Sequence, residues 1–105
     1  MTEADQLGPS YDGTVMLDIG GEIGALIITT TPALHLAEIE VSPVGDDHPH
    51  RTHVAVRERR GPSGTRYAAI YPQLHEGVYT VYDVDGRPAD TVSVNGGEVT
   101  QIDWR

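Results

Sequence analysis

Apolar and polar residues alternate with a period of two along most of this chain, the signature of strands that bury one face. Residues 14–19 place Val15, Leu17 and Ile19 on one side and Thr14, Met16 and Asp18 on the other, which predicts a first strand. Gly20-Gly21-Glu22 then reads as a turn. Residues 23–30 are almost all apolar or β-branched, a run that fits a strand covered on both faces or a short helix; Ile27, Ile28 and the threonines that follow favour the strand. Pro32 ends it. In residues 35–42, Ala37, Ile39 and Val41 face inward while Glu38 and Glu40 face solvent. Residues 43–50 form a loop of Pro, Gly, Asp and His. Residues 52–58 predict one strand with Val54 and Val56 inward and His53, Ala55 and Arg57 on the opposite face. A turn at residues 60–64 leads to a strand over residues 67–71, which Pro72 ends.

The last third of the chain is the most legible. Leu74-His75-Glu76-Gly77 is a tight corner feeding a strand in which Tyr79 and Val81 share a face. Asp85-Gly86 signals a hairpin, residues 91–94 alternate again, Asn95-Gly96-Gly97 turns the chain, and residues 98–104 return. Three strands with two short turns predict an antiparallel meander. The whole pattern predicts an all-β fold, a single antiparallel β-sandwich of about seven strands, with no helix longer than two turns. Residues 1–12 read as a flexible acidic tail and residues 13–105 as the domain. With no Phe, the core must be filled by Val, Ile, Leu and Tyr, closed by Trp104 in phase with Ile102 and Thr100.

The motif Leu74-x-x-Gly77-x-Tyr79-x-Val81, followed by a turn, an alternating strand, Gly96-Gly97 and a final strand, resembles the C-terminal half of transthyretin-like (prealbumin-like) sandwiches. That group includes carboxypeptidase-regulatory-like modules, and the resemblance implies a prealbumin-like framework rather than one activity. Two further stretches, residues 18–26 and 52–59, look like short uncharacterised bacterial proteins, some of them labelled phospholipase.

Composition narrows the function classes. A chain of 105 residues is one domain, large enough to form a core without metal or disulfide staples. Cysteine is absent, so there is no thiolate ligand or nucleophile, and a reducing compartment is the simpler expectation. The acidic, polar start carries neither the basic residues nor the apolar run of a secretory signal, which makes the cytoplasm the expected location. A net charge of −9 argues against nucleic acid or an anionic membrane as a whole-surface partner. The charge is uneven, however. Residues 51–66 hold five Arg and one Glu, a net of +4, so the rest of the chain carries −13. A basic strand pair on an acidic body suggests a protein partner or a homo-oligomer, with Arg57, Arg59, Arg60 and Arg66 as the binding surface. Solvated charges on an exposed strand face would give the same pattern.

Candidate catalytic chemistry is thin. His48, His50 and His53, beside Asp46 and Asp47, could hold a divalent metal through nitrogen and oxygen, although the spacing matches no defined site and Arg51 opposes a cation. His53 and Arg57, on one strand face, could hold an anionic substrate and move a proton. Transthyretin-like hydrolases of the purine pathway use such a pair but close with Tyr-Arg-Gly-Ser, whereas this chain closes with Ile102-Asp103-Trp104-Arg105. Gly61-Pro62-Ser63-Gly64 is a turn rather than a nucleophile elbow, and with Lys absent no His-Lys phosphatidyl-transfer pair or phosphate-loop lysine exists. Asp83-Val84-Asp85-Gly86 lacks the later Glu of a calcium loop and reads as a turn. The expectation is a non-enzymatic binding or self-assembly module without a cofactor. The alternative is a small metal-binding or hydrolytic module built on the three histidines.

Overall fold

The apolar run Ile23–Thr30 forms β1, and all but its first residue are buried. The structure, a computed structural model, describes residues 17–45 and 51–105. After a 3₁₀ turn at Pro32–Leu34 come β2 (Glu38–Pro43), β3 (Thr52–Ala55), β4 (Arg57–Gly61), β5 (Gly64–His75), β6 (Gly77–Tyr82), β7 (Pro88–Val94) and β8 (Val99–Asp103). The strands make two four-stranded sheets: sheet A in the order β4-β5-β1-β8 and sheet B in the order β3-β2-β6-β7. The fold is therefore all-β, with eight strands among the described residues rather than seven. No helix among these residues is long and apolar enough to cross a membrane.

Alternation sets the interior. Leu26 and Ile28 of β1 and Ala69 and Tyr71 of β5 meet Ile39, Val41, Tyr79, Val81 and Val94 of sheet B in one buried cluster. Ile102 and Trp104 pack against its edge, and the Trp104 amide extends the ladder by donating to the Thr29 carbonyl at 2.7 Å. The Tyr71 side chain is fully buried, and its hydroxyl donates to the Ile39 carbonyl, joining the two sheets through the core. Burial pushes the Tyr71 phenol far above its ordinary value, so it remains a neutral donor. At the corner between β5 and β6, the Tyr79 hydroxyl donates at 2.6 Å to the carbonyl of His75, four residues upstream. A tyrosine tied back in this way fixes a strand-to-strand corner.

Four expectations are corrected. The single strand over residues 52–58 is two strands in different sheets, because the chain crosses at Val56. That residue donates to the Ala37 carbonyl and accepts from the Leu36 amide, both at 2.8 Å, instead of pairing within a sheet. Pro72 does not end its strand; β5 continues through it because the register with β1 slips there, from Leu26↔Tyr71 to Gly24↔Leu74. A proline without an N–H is tolerated at such a bulge. The C-terminal meander stops after β6 and β7, since β8 crosses to sheet A and runs parallel to β1, so the sandwich is not wholly antiparallel. Finally, residues 17–19 lie outside the strands, while residues 14–16 of that expected strand, the expected tail at 1–12, and His48 and His50 lie outside the described residues.

The close approach of two turns makes the parallel β1–β8 pairing possible. Gly24 lies against the carbonyls of Asn95 and Glu98, and Gly96 lies against the Gly21 carbonyl. Either position is too tight for a side chain. The Gly97 amide then donates to the Ile23 carbonyl at 2.9 Å and the Ala25 amide to the Glu98 carbonyl at 3.0 Å.

Candidate functional site

The β4–β5 hairpin carries the arginines, and its turn fixes where they point. Gly61 pairs with Gly64 across Pro62-Ser63, which sets the register Arg60↔Thr65, Arg59↔Arg66, Glu58↔Tyr67 and Arg57↔Ala68. Partners directly opposite share a face. Tyr67 packs on the interior cluster, so Glu58 and Arg60 lie on that side, whereas Arg57, Arg59, Arg66 and Ala68 face outward from sheet A. The four expected binding arginines are thus divided. Three share the outer face, and Arg60 turns the other way, its Nε 2.8 Å from Glu58 Oε2.

The outward arginines differ in their contacts with the sheet. Arg59 folds back onto the sheet, donating from Nε and Nη2 to the Ala68 carbonyl at 3.3 and 3.2 Å. Arg66 stands directly opposite it, an arrangement that like charges disfavour unless an anion is shared. Arg57 and Arg66 are exposed and form no ion pair with any of the described residues. Towards β1 the face becomes apolar, with Ala25, Ile27, Ala68 and Ile70, and at β8 it ends in Asp103. The guanidinium of Arg105 grips that carboxylate at 2.8 and 3.0 Å and holds its pKa down at about 2.

Arg51, the fifth arginine of the basic stretch, serves the other sheet. Its guanidinium lies 3.7 Å above the Tyr82 ring and donates to Glu40 at 3.0 Å and to the Gly86 carbonyl at 3.4 Å. Beneath it, the buried Ser42 and Tyr82 hydroxyls are 2.8 Å apart. This stack secures the chain as it enters β3, and sequence alone gave no signal of it because Glu40, Arg51 and Tyr82 are distant along the chain.

The described histidines do not converge. His35 meets Tyr67 edge to face at 5.3 Å, His53 lies 3.9 Å from Glu38, and His75 Nε2 is 2.8 Å from Glu22 Oε1. The crossing at Val56 also separates His53 from Arg57: the first lies on sheet B and the second on sheet A. No group of three or more His, Asp or Glu among the described residues is arranged to hold a metal ion. The Asp83 carboxylate is spent on its own turn, accepting from the Asp85 and Arg87 amides at 2.9 and 3.0 Å.

His75 reports on the turn cluster. Its Nδ1 donates to the Glu76 carbonyl at 3.0 Å, and that bond, followed by the one to Glu22, raises its pKa above the ordinary imidazole value. A raised folded-state value means that the stabilisation is complete below about pH 6.5 and is lost as pH rises through the folded value. An NMR titration should therefore place the His75 midpoint above that of a free histidine, and Glu22→Gln should lower it. An unchanged midpoint in that variant would show that the contact does not persist in solution.

No protein-family model matches the chain, and no curated protein or solved structure matches it significantly.

Proposed function

We propose that this chain is a non-enzymatic β-sandwich module, prealbumin-like in framework, that binds an acidic protein surface through Arg57, Arg59 and Arg66 on the outer face of sheet A. The observation that carries this reading is the direct opposition of Arg59 and Arg66, with Arg57 on the same face. Guanidinium groups held side by side, one of them already fixed to the backbone, suit carboxylates that accept two donors at once. The adjoining apolar strip supplies the area that charge alone lacks. The separate anchoring of His35, His53 and His75 supports a binding role over a hydrolytic one. A cytoplasmic setting fits a fold that uses no cysteine.

The uneven charge favours a second copy of the chain as one such acidic partner, since −13 of its charge lies outside the basic stretch. A fluorescent oligo-glutamate peptide should bind the full chain at low salt and weaken steeply as salt rises. Arg57→Glu combined with Arg66→Glu should reduce affinity by about tenfold or more, while Arg87→Glu, outside the face, should not. Equal loss in both variants would point to net charge alone and contradict the assignment.

A further inference from the structure

We infer that Leu36 is an apolar anchor for the partner of the arginine face, so that the segment bound there is acidic and also carries a large apolar side chain. This deepens the binding reading above, on which it rests for the acidic character of the partner.

The first observation is a leucine where the backbone calls for glycine. The Ala37 amide donates to the Leu34 carbonyl at 2.9 Å, which closes a turn over Leu34-His35-Leu36-Ala37. His35 has φ −54° and ψ 128°, and Leu36 has φ 72°. These are the values of a type II turn, whose third residue must take a positive φ and is ordinarily Gly or Asn. Among the described residues, Leu36 is the one non-glycine with a positive φ. A Cβ in that conformation crowds the adjoining carbonyl and costs stability.

Burial does not offset that cost. Leu36 is 60% exposed and lies outside the interior cluster. An isolated apolar residue on a surface is ordinary, and Val44, Val78, Val84 and Val99 are such residues, none with a positive φ. Leu36 differs in being both exposed and strained. Core packing and backbone preference both fail to explain it, whereas contact with a partner would remove its apolar surface from water.

The second observation is the place at which the leucine is held. Its amide donates to the Val56 carbonyl, and the Val56 amide donates to the Ala37 carbonyl, both at 2.8 Å. Val56 is fully buried, so the turn is fastened to the crossing between the sheets. The next residue is Arg57, the first of β4 and one of the outward arginines. On the other flank His35 meets Tyr67, which pairs with Glu58 of the same strand. The turn therefore lies against the start of the arginine-bearing strand, where a chain bound along Arg57 and Arg66 comes within reach of Leu36. Salt screens the attraction between such a chain and the arginines, and burial of a leucine side chain adds a contribution that salt does not weaken.

The test uses the full chain and two fluorescent oligo-glutamate peptides, one extended at both ends by leucine and the other by serine. The wild type should bind the leucine-extended peptide about tenfold more tightly, and that preference should persist as salt rises. Leu36→Gly should bring the two affinities together, leave the serine-extended peptide bound as before, and raise the urea midpoint by relieving the turn. Leu36→Asn, which also accepts a positive φ, should repeat the binding result. Equal binding of the two peptides to the wild type, or a leucine preference that survives both substitutions, would overturn the anchor and leave the arginine reading intact. A lowered midpoint in both variants would make Leu36 a structural support and overturn the anchor as well. Failure of both peptides to bind at any salt concentration sinks the arginine reading, and the anchor with it.

Discussion

Gly96→Ala is expected to destabilise the protein by about 3 kcal/mol, because the new methyl carbon has nowhere to go. Built on the present backbone it would stand 2.0 Å from the Gly21 carbonyl oxygen and 2.9 Å from the Glu22 Cα. Both neighbours are main chain, so relief requires the two turns to separate, and their separation loosens the bonds that start the parallel β1–β8 ladder. Gly24→Ala, 2.3 Å from the Asn95 carbonyl oxygen, should behave alike. Gly97→Ala provides the contrast. Its φ of +76° disfavours a side chain, but the space is open, and a cost of about 1 kcal/mol is expected. Urea unfolding of the three variants decides it; a Gly96→Ala chain no less stable than Gly97→Ala would mean that the turns are not in contact.

The second large effect lies at Tyr71. Tyr71→Phe keeps the ring and leaves the Ile39 carbonyl without the donor that spans the sheets, a loss of about 1–2 kcal/mol. Tyr71→Ala also opens a cavity among Leu26, Ile39 and Val41 and should cost about 3–5 kcal/mol. A Phe variant as stable as the wild type would show that the hydroxyl contributes nothing to joining the sheets.

What the sequence disclosed and what it concealed divide along a physical line. Alternation is a local property, so it identified the inward residues Ile39, Val41, Tyr79 and Val81 and exposed the turns at Gly86 and Gly96. The assignment of strands to sheets is decided by distant partners, and there the pattern was mute. Val54 and Val56 both face inward although one lies in β3 and the other at the crossing, so the uninterrupted alternation hid the change of sheet. The parallel pairing of β8 depends on two glycines packed against distant backbone, which no window of neighbouring residues contains. Pro72 misled for a related reason: a bulge against β1 removes the demand for its missing N–H, and the bulge is a property of the pair.

The candidate surface was half legible. The sequence pointed to Arg57, Arg59, Arg60 and Arg66 as one surface, whereas the two-residue turn at Pro62-Ser63 brings Arg66 to the face of Arg57 and Arg59 and sends Arg60 to the other. The apolar strip beside them was foreshadowed by the run Ile23–Thr30, whose lack of alternation implied cover on both sides. The outward burial of Ala25 and Ile27 gives that implication a place on the molecule.

The most direct test is to record backbone amide shifts of the full chain while the oligo-glutamate peptide is added. Binding through the proposed surface predicts saturable shifts concentrated at Arg57, Arg59, Arg66 and Ala68, absent from the Arg57→Glu, Arg66→Glu chain. Shifts centred instead on Glu38, Glu40 and His53 of sheet B, or none at any salt concentration, would contradict it.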